Sequence, residues 1–80
     1  MIPKEVRVYS TPTCAYCKAA KKFLEDRGIA YKDLNVGEDK AAREEMIRRS
    51  GQMGVPVIDI DGEIVVGFDQ KKLKQKLGLP

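Results

Sequence analysis

The stretch "YSTPTCAYCKAAKKF", from Tyr9 to Phe23, contains both cysteines of the chain, Cys14 and Cys17. It begins inside a β-rich run, Val6 to Ser10, and passes into a pattern whose apolar residues are spaced three and four apart. That change of period indicates a strand followed by a helix. We therefore expect the two cysteines at the start of a helix that leaves the end of a strand.

The length of the chain limits what the cysteines can contribute to stability. Its 80 residues are predicted to form one domain, 1–80, and a domain of this size buries only roughly 60% of its unfolded surface. A disulfide that closes a loop of a few residues removes little chain entropy. A Cys14–Cys17 disulfide would therefore stabilise the fold very little. The reactivity of the two cysteines says more about their role.

The composition argues against several classes of protein. No apolar run is long enough for a transmembrane helix, and the N-terminal "MIPKEVRVYS" lacks the apolar region of a secretory signal. One close pair of cysteines does not match a disulfide-rich secreted domain, so we expect a cytoplasmic protein. The net charge of +3 is small and mixed with many acids, so we expect neither nucleic acid nor a membrane as partner.

The remaining sequence alternates between strand-like and helical patterns, and Asp61-Gly62 between two β-branched runs indicates a hairpin. The predicted elements are β1 at 6–10, α1 from 15 to the stop at Gly28, β2 at 30–36, α2 at 38–51, β3 and β4 within 55–66, and α3 after Asp69, through Leu77. A crossover helix makes the first two strands parallel. The prediction is an α/β fold of order β-α-β-α-β-β-α, with a four-stranded mixed sheet and helices on both faces.

A Cys-x-x-Cys pair that enters the first helix of a β-α-β unit is typical of a thioredoxin-like redox site. Residues three apart share a helix face, so the two sulfurs can bond without much backbone movement. Free N–H groups at the helix start favour an anion, and we expect the pKa of Cys14 to lie below the usual ~8.5. Cys14 is predicted to attack the substrate disulfide, and Cys17, one turn inside, to resolve the mixed disulfide.

Lys18 lies one turn beyond Cys14 on the same helix face. Its cation would tune the pKa of Cys14 further downward, by an interaction nearer ~1 than ~4 kcal/mol in a solvated site. The alternative is an ordinary solubilising lysine, and the sequence leaves both interpretations open.

A metal site is a weaker interpretation of the two cysteines. Structural zinc usually has four Cys or His ligands, and this chain has two cysteines and no histidine. A metal ion or iron–sulfur cluster would need a second chain or external thiols. We therefore expect no metal site and no bound cofactor, and a cluster- or metal-binding dimer module is the least favoured alternative.

Three motifs, in this order, resemble the glutaredoxin family, the short glutaredoxin-like redoxins of the thioredoxin superfamily. "TCAYC" is similar to the family's Cys-Pro-Tyr-Cys, "GVPV" around Val55-Pro56 to its Thr-Val-Pro element, and "VVGFD" to its Gly-Gly followed by a residue and Asp. The resemblance covers nearly the whole chain. It implies a thioredoxin fold with strand order β2-β1-β3-β4 and a cis peptide bond at Val55-Pro56 that faces the cysteines.

The resemblance also implies where a substrate binds. In the family, the mixed disulfide of glutathione lies along a groove in which the backbone before the proline pairs with it, as in strand addition. Tyr16 resembles the tyrosine that flanks this groove, and Asp69 resembles the aspartate that holds the γ-glutamyl end. From the residues alone, Tyr16 could instead pack in the core and Pro56 could simply start a strand. Asp69 could cap a helix, a role that it can hold at the same time as binding. The implied substrate- or glutathione-binding set is Thr11, Tyr16, Val55, Pro56, Gly67, Phe68 and Asp69.

Several positions depart from the family pattern. Thr11 stands where many members carry a lysine for a glutathione carboxylate, Ala15 replaces the second proline, Gly54 replaces a threonine, and Val66 replaces the first glycine of Gly-Gly. Phe68 is similar to a residue of a related branch that is reduced by thioredoxin reductase, some members of which donate electrons to ribonucleotide reductase. These departures leave the reductant open.

The sequence thus predicts a monomeric thiol–disulfide oxidoreductase of electron transport and cell redox homeostasis. Its substrates would be protein disulfides or glutathione mixed disulfides, with glutathione as a possible cosubstrate. The alternative is a thioredoxin-like electron carrier that takes its electrons from thioredoxin reductase.

Overall fold

The computed structural model describes residues 5–79 and contains the predicted elements in the predicted order. Their bounds are β1 Val6–Ser10, α1 Ala15–Asp26, β2 Lys32–Asn35, α2 Lys40–Ser50, β3 Val57–Ile60, β4 Glu63–Val66 and α3 Gln70–Leu77. The prediction of one domain over 1–80 includes residues 1–4 and 80, which lie outside the described range.

The four strands form one sheet in the order β2-β1-β3-β4, which confirms the order implied by the resemblance. β1 pairs in parallel with β2, where Val8 lies opposite Asp33, and antiparallel with β3, where Val8 lies opposite Ile58. β3 and β4 form the predicted hairpin, whose turn places Asp61 and Gly62 at φ 51° and 94°. These positive φ values are the conformation that a tight Asp-Gly turn requires.

Helices cover both faces of the sheet, because the strand side chains alternate between two apolar clusters. Val8 and Ile58 point toward α1 and α3, where they meet Phe23 and Leu73. Tyr9 lies on the opposite face, together with residues of α2 and its approach: Val36, Ala42 and Met46. The central strands β1 and β3 are almost entirely buried, whereas β2 and β4 are partly exposed edges.

Side-chain caps set helix boundaries that differ slightly from the predicted ones. α2 starts at Lys40 rather than at 38, because the Asp39 carboxylate accepts the N–H of Ala42 at 3.0 Å and so occupies the cap position. Gly51 ends this helix in the left-handed conformation, with φ 77°. β2 is shorter than the predicted 30–36, since only 32–35 align with β1.

The topology brings three loops to one end of the sheet. β1 ends at Ser10 and leads through a turn into Cys14, the cap of α1. β3 runs antiparallel to β1, so β3 begins, at Val57, at the end of the sheet where β1 finishes. The segment before Val57 therefore lies at this end. β4 runs antiparallel to β3 and also finishes there, where the chain continues into Gly67. Within residues 5–79, no helix has the length and apolarity needed to span a bilayer.

Candidate active site

Cys14 occupies the N-cap position of α1, with extended backbone angles. Its Sγ accepts a hydrogen bond from the backbone N–H of Cys17 at 3.1 Å. Its own N–H donates to the carbonyl of Thr11 at 3.3 Å, which fixes the turn between strand and helix. The sulfur is only partly buried, and the N–H donor and helix dipole interact more favourably with a thiolate than with a thiol. Cys14 therefore has the exposure and the surroundings of an attacking sulfur.

Cys17 lies one turn further along α1 and has no solvent-exposed surface. Burial, followed by the hydrogen bond to Cys14, raises the pKa of the Cys17 thiol to about 11, although the backbone N–H of Thr11 and the Lys21 cation oppose this rise. At neutral pH Cys17 is therefore a protonated, covered thiol. Both cysteines are free in this structure, so it represents the reduced state.

A second loop lies against Cys14. The peptide bond between Val55 and Pro56 is cis, as the resemblance implied. The carbonyl oxygen of Val55 lies 3.9 Å from Cys14 Sγ, within reach of a weak S–H donor. Pro56 is buried, and its carbonyl accepts the N–H of Gly67 at 2.8 Å. These contacts bring Cys14, Val55, Pro56 and Gly67 together at one surface.

Three exposed apolar side chains lie in the segments that form this surface, and we call them the apolar rim. In the part of the chain that the structure describes, the large hydrophobic side chains that remain exposed are Tyr16 at 70%, Met53 at 67% and Val66 at 44%. All three belong to the segments that carry Cys14, Pro56 and Gly67. Tyr16 therefore does not pack in the core. Sequence reasoning missed Met53, for which the only signal is a large apolar residue in a loop of Gly and Gln.

Two of the implied binding residues also serve the fold. The Phe68 ring is half-buried against the α1/α3 core and meets the Phe23 ring edge-on, with 5.9 Å between the ring centroids. The Asp69 carboxylate accepts the N–H of Lys72 at 3.2 Å and caps α3, the role that the sequence alone favoured. A glutathione-binding role for either residue stays a prediction.

The surroundings of the cysteines offer no cluster of metal ligands. Across residues 5–79, no group of three or more His, Cys, Asp or Glu side chains is arranged to hold a metal ion. Lys18 is exposed on α1, and its backbone N–H donates to the Cys14 carbonyl at 3.2 Å. Its role in tuning Cys14 stays a prediction.

Comparison with known proteins identifies the family. The glutaredoxin family model matches residues 6–65. The chain is 48% identical to a glutaredoxin-like 8.6 kDa protein in the rubredoxin operon of Clostridium pasteurianum, over 85% of this chain and 91% of that protein. It is 42% identical to glutaredoxin 3 of Escherichia coli strain K12, over 80% of this chain and 77% of that protein.

A solved structure of similar shape extends this comparison. The NrdH-redoxin of Escherichia coli, described as a glutaredoxin-like protein with a thioredoxin-like activity profile, superimposes with a TM-score of 0.78 at 25% identity. The match covers 89% of this chain and 92% of that one. The strand order β2-β1-β3-β4 and the similarity to solved structures of thioredoxin-like proteins confirm the thioredoxin fold expected from the sequence.

Proposed function

The chain belongs to the glutaredoxin family, and from that premise we propose that it is a thiol–disulfide oxidoreductase that works through Cys14 and Cys17. The observation that carries this proposal is the arrangement of the two sulfurs. Cys14 is partly exposed and accepts the Cys17 N–H at 3.1 Å, while the Cys17 thiol is fully buried one helical turn behind it. One sulfur can meet a substrate, and the other is protected until the first has reacted.

The reaction proceeds by two thiol–disulfide exchanges. The Cys14 thiolate attacks one sulfur of the substrate disulfide, and the other substrate sulfur leaves as a thiolate that takes up a proton. Cys17 then loses its proton and attacks the Cys14 sulfur, which releases the second substrate thiol. Two electrons pass from the protein to the substrate, Cys17 supplies one of the two protons and the solvent the other, and the Cys14–Cys17 disulfide remains.

Regeneration needs an external reductant, and we assign this role first to glutathione. The cis-Pro56 loop and Gly67 flank Cys14, where the backbone can pair with an extended thiol compound such as a tripeptide. Asp69 remains partly accessible beside this surface, although its carboxylate already caps α3. The substrates in this reading are glutathione mixed disulfides and protein disulfides.

The second candidate is a thioredoxin-like electron carrier that is reduced by a flavoprotein, thioredoxin reductase. Three observations favour it: the absence of a cation at Thr11, the Val66 side chain beside Gly67, and the exposed apolar rim of Tyr16 and Met53. An apolar rim of this kind fits a protein surface better than a charged tripeptide. The similarity to NrdH-redoxin, with its thioredoxin-like activity profile, points the same way.

A paired reduction assay distinguishes these candidates. One cuvette holds oxidised protein, NADPH, glutathione and glutathione reductase; the other holds oxidised protein, NADPH and thioredoxin reductase. We expect rapid NADPH oxidation in the first. A double variant, Thr11→Lys with Val66→Gly, restores the family's cation and glycine and should raise the glutathione rate further, while a Lys32→Gln variant on the remote edge strand serves as control.

Rapid oxidation in the second cuvette alone would replace the glutathione assignment with the electron-carrier assignment. No reaction in either cuvette, with a protein whose circular dichroism shows it to be folded, would contradict both.

A further inference from the structure

A chain of hydrogen bonds links α1 to the sheet beside Cys17. Lys21 Nζ lies 2.9 Å from Asp33 Oδ2, and the Ser10 hydroxyl donates to Asp33 Oδ1 at 2.8 Å. Ser10 is almost fully buried at the end of β1, immediately before Thr11. Asp33 lies on the edge strand β2, where its side chain is 48% exposed. The three side chains therefore run from the buried end of β1 out to solvent.

Lys21 is the least exposed of the three lysines of α1. Its side chain is 20% exposed, compared with 77% for Lys22, which pairs with Asp26 on the outer face. Lys18, the third lysine of this helix, is also exposed. A cation with little solvent around it acts more strongly on a neighbouring charge, because less water screens the interaction. Its ammonium lies against the Asp33 carboxylate of the neighbouring strand.

Lys21 also lies one helical turn beyond Cys17. Residues four apart on a helix are neighbours on one face, with about 5–6 Å between their Cβ atoms. The groups that act on the buried sulfur are the Cys14 thiol and Lys21 from α1 and the N–H of Thr11 from the end of β1. Asp33, from the neighbouring strand, is paired with the Lys21 ammonium.

We infer that Lys21 is a positioning residue for the second exchange: its ammonium, one helical turn from Cys17 and little exposed to solvent, stabilises the thiolate that Cys17 must become before it attacks Cys14. This inference rests on the proposed function and deepens it. In this step the Cys17 proton leaves the protein interior, the new bond forms between the two cysteine sulfurs, and the bond to the substrate sulfur breaks. The departing substrate thiolate takes up a proton, so that charge and electrons balance.

Burial and the Lys21 cation act in opposite directions on the pKa of Cys17, and this explains why the cation matters. Burial pushes the pKa of Cys17 to about 11, so that very little thiolate is present near neutral pH. Lys21 opposes this rise. Without its charge the pKa rises further, the thiolate fraction falls, and the resolving step slows at every pH below the pKa. At a pH above the pKa the difference disappears, because Cys17 is then ionised in either case.

A purely structural role makes a different prediction, and this difference supplies the test. If the Lys21–Asp33 pair only braces α1 against the sheet, then Lys21→Gln and Asp33→Asn break the same bond and have the same effect. If the Lys21 charge acts on Cys17, the two variants differ in direction. Lys21→Gln removes the cation, whereas Asp33→Asn leaves the cation in place and removes the anion that partly cancels it.

The experiment follows the reaction of the reduced protein with an aromatic disulfide, dithiobis-nitrobenzoate, by stopped-flow absorbance. The first release of coloured thiolate reports attack by Cys14 and depends on reagent concentration. The second release reports attack by Cys17 within the mixed disulfide, and its rate does not depend on reagent concentration. For Lys21→Gln we expect an unchanged first phase and a second phase that is roughly threefold to tenfold slower near pH 7, with its pH profile displaced to higher pH.

The controls separate charge from structure. Lys21→Arg keeps the cation and should restore the second phase, Lys22→Gln should leave both phases unchanged, and Asp33→Asn should make the second phase faster. An unchanged second phase in Lys21→Gln, or equal slowing in Lys21→Gln and Asp33→Asn, would overturn the inference. If Lys21→Gln fails to fold, the Asp33→Asn direction decides the question alone. Absence of both phases in the parent protein would instead contradict the proposed function.

Discussion

Replacing Cys14 with serine should abolish disulfide reduction, with a loss of at least about three orders of magnitude in rate, as expected when a nucleophile is removed. The hydroxyl of serine is not ionised at neutral pH and cannot form the mixed disulfide. The fold should persist, because Cys14 is the N-cap of α1 and serine is among the preferred N-cap residues. Its hydroxyl oxygen can accept the Cys17 N–H that Sγ accepts now.

The matched variant is Cys17→Ser. It keeps the attacking sulfur and lacks the resolving one, so it should accumulate a stable mixed disulfide with a protein substrate and lose protein-disulfide reduction. It should retain reaction with glutathione mixed disulfides if glutathione itself resolves them. The measurement is the rate of disulfide reduction, with the trapped adduct identified by mass spectrometry. A Cys14→Ser protein that keeps a rate within tenfold of the parent would show that Cys14 is not the nucleophile.

Replacing Arg49 with methionine should destabilise the protein strongly. Arg49, near the end of α2, forms an ion pair with Asp59 of β3, whose side chain is only 7% exposed. The other Asp59 oxygen accepts the N–H of Gly62 at 2.8 Å and so also fixes the hairpin turn. Removal of the guanidinium leaves a carboxylate in the interior without its cation. Such a change typically costs 3–5 kcal/mol, and we expect about 2–4 here because Arg49 is itself partly exposed.

That loss is large for a small domain, whose total stability is typically about 5–15 kcal/mol. The measurement is the free energy of unfolding from urea denaturation of the reduced protein. Lys76→Met is the control, since it breaks the exposed pair between Lys76 and Glu63 and should cost less than about 0.5 kcal/mol. Equal losses of stability in the two variants would show that the buried Arg49–Asp59 pair contributes no more to stability than the exposed Lys76–Glu63 pair.

Much of the fold could be predicted from local patterns. The strand-to-helix change at Cys14, the Asp61-Gly62 turn and the glycine stop at Gly51 all reflect backbone preferences that short stretches of sequence carry. The Asp69 cap was predicted for the same reason. The order of strands in the sheet was predicted from the family resemblance, because local sequence patterns do not determine which strands become neighbours.

Other features depend on contacts between distant parts of the chain. Asp59, in the run "VIDI", has the appearance of a solvent-facing strand residue, but α2 covers that face and supplies Arg49. The three lysines of α1 are similar in sequence, and only the packing against β2 distinguishes Lys21 from Lys22. Likewise, the sequence does not reveal that Phe68 turns into the core toward Phe23, whereas Met53 stays exposed.

A redox titration shows whether Cys14 and Cys17 form a reversible redox pair. The protein is equilibrated in dithiothreitol buffers of increasing oxidation, quenched in acid, alkylated, and weighed by mass spectrometry. We expect one two-electron transition between a form with two alkylated cysteines and a monomer with an internal Cys14–Cys17 disulfide and no free thiol. Thiols that stay free throughout, or that oxidise only to disulfides between chains, would contradict it.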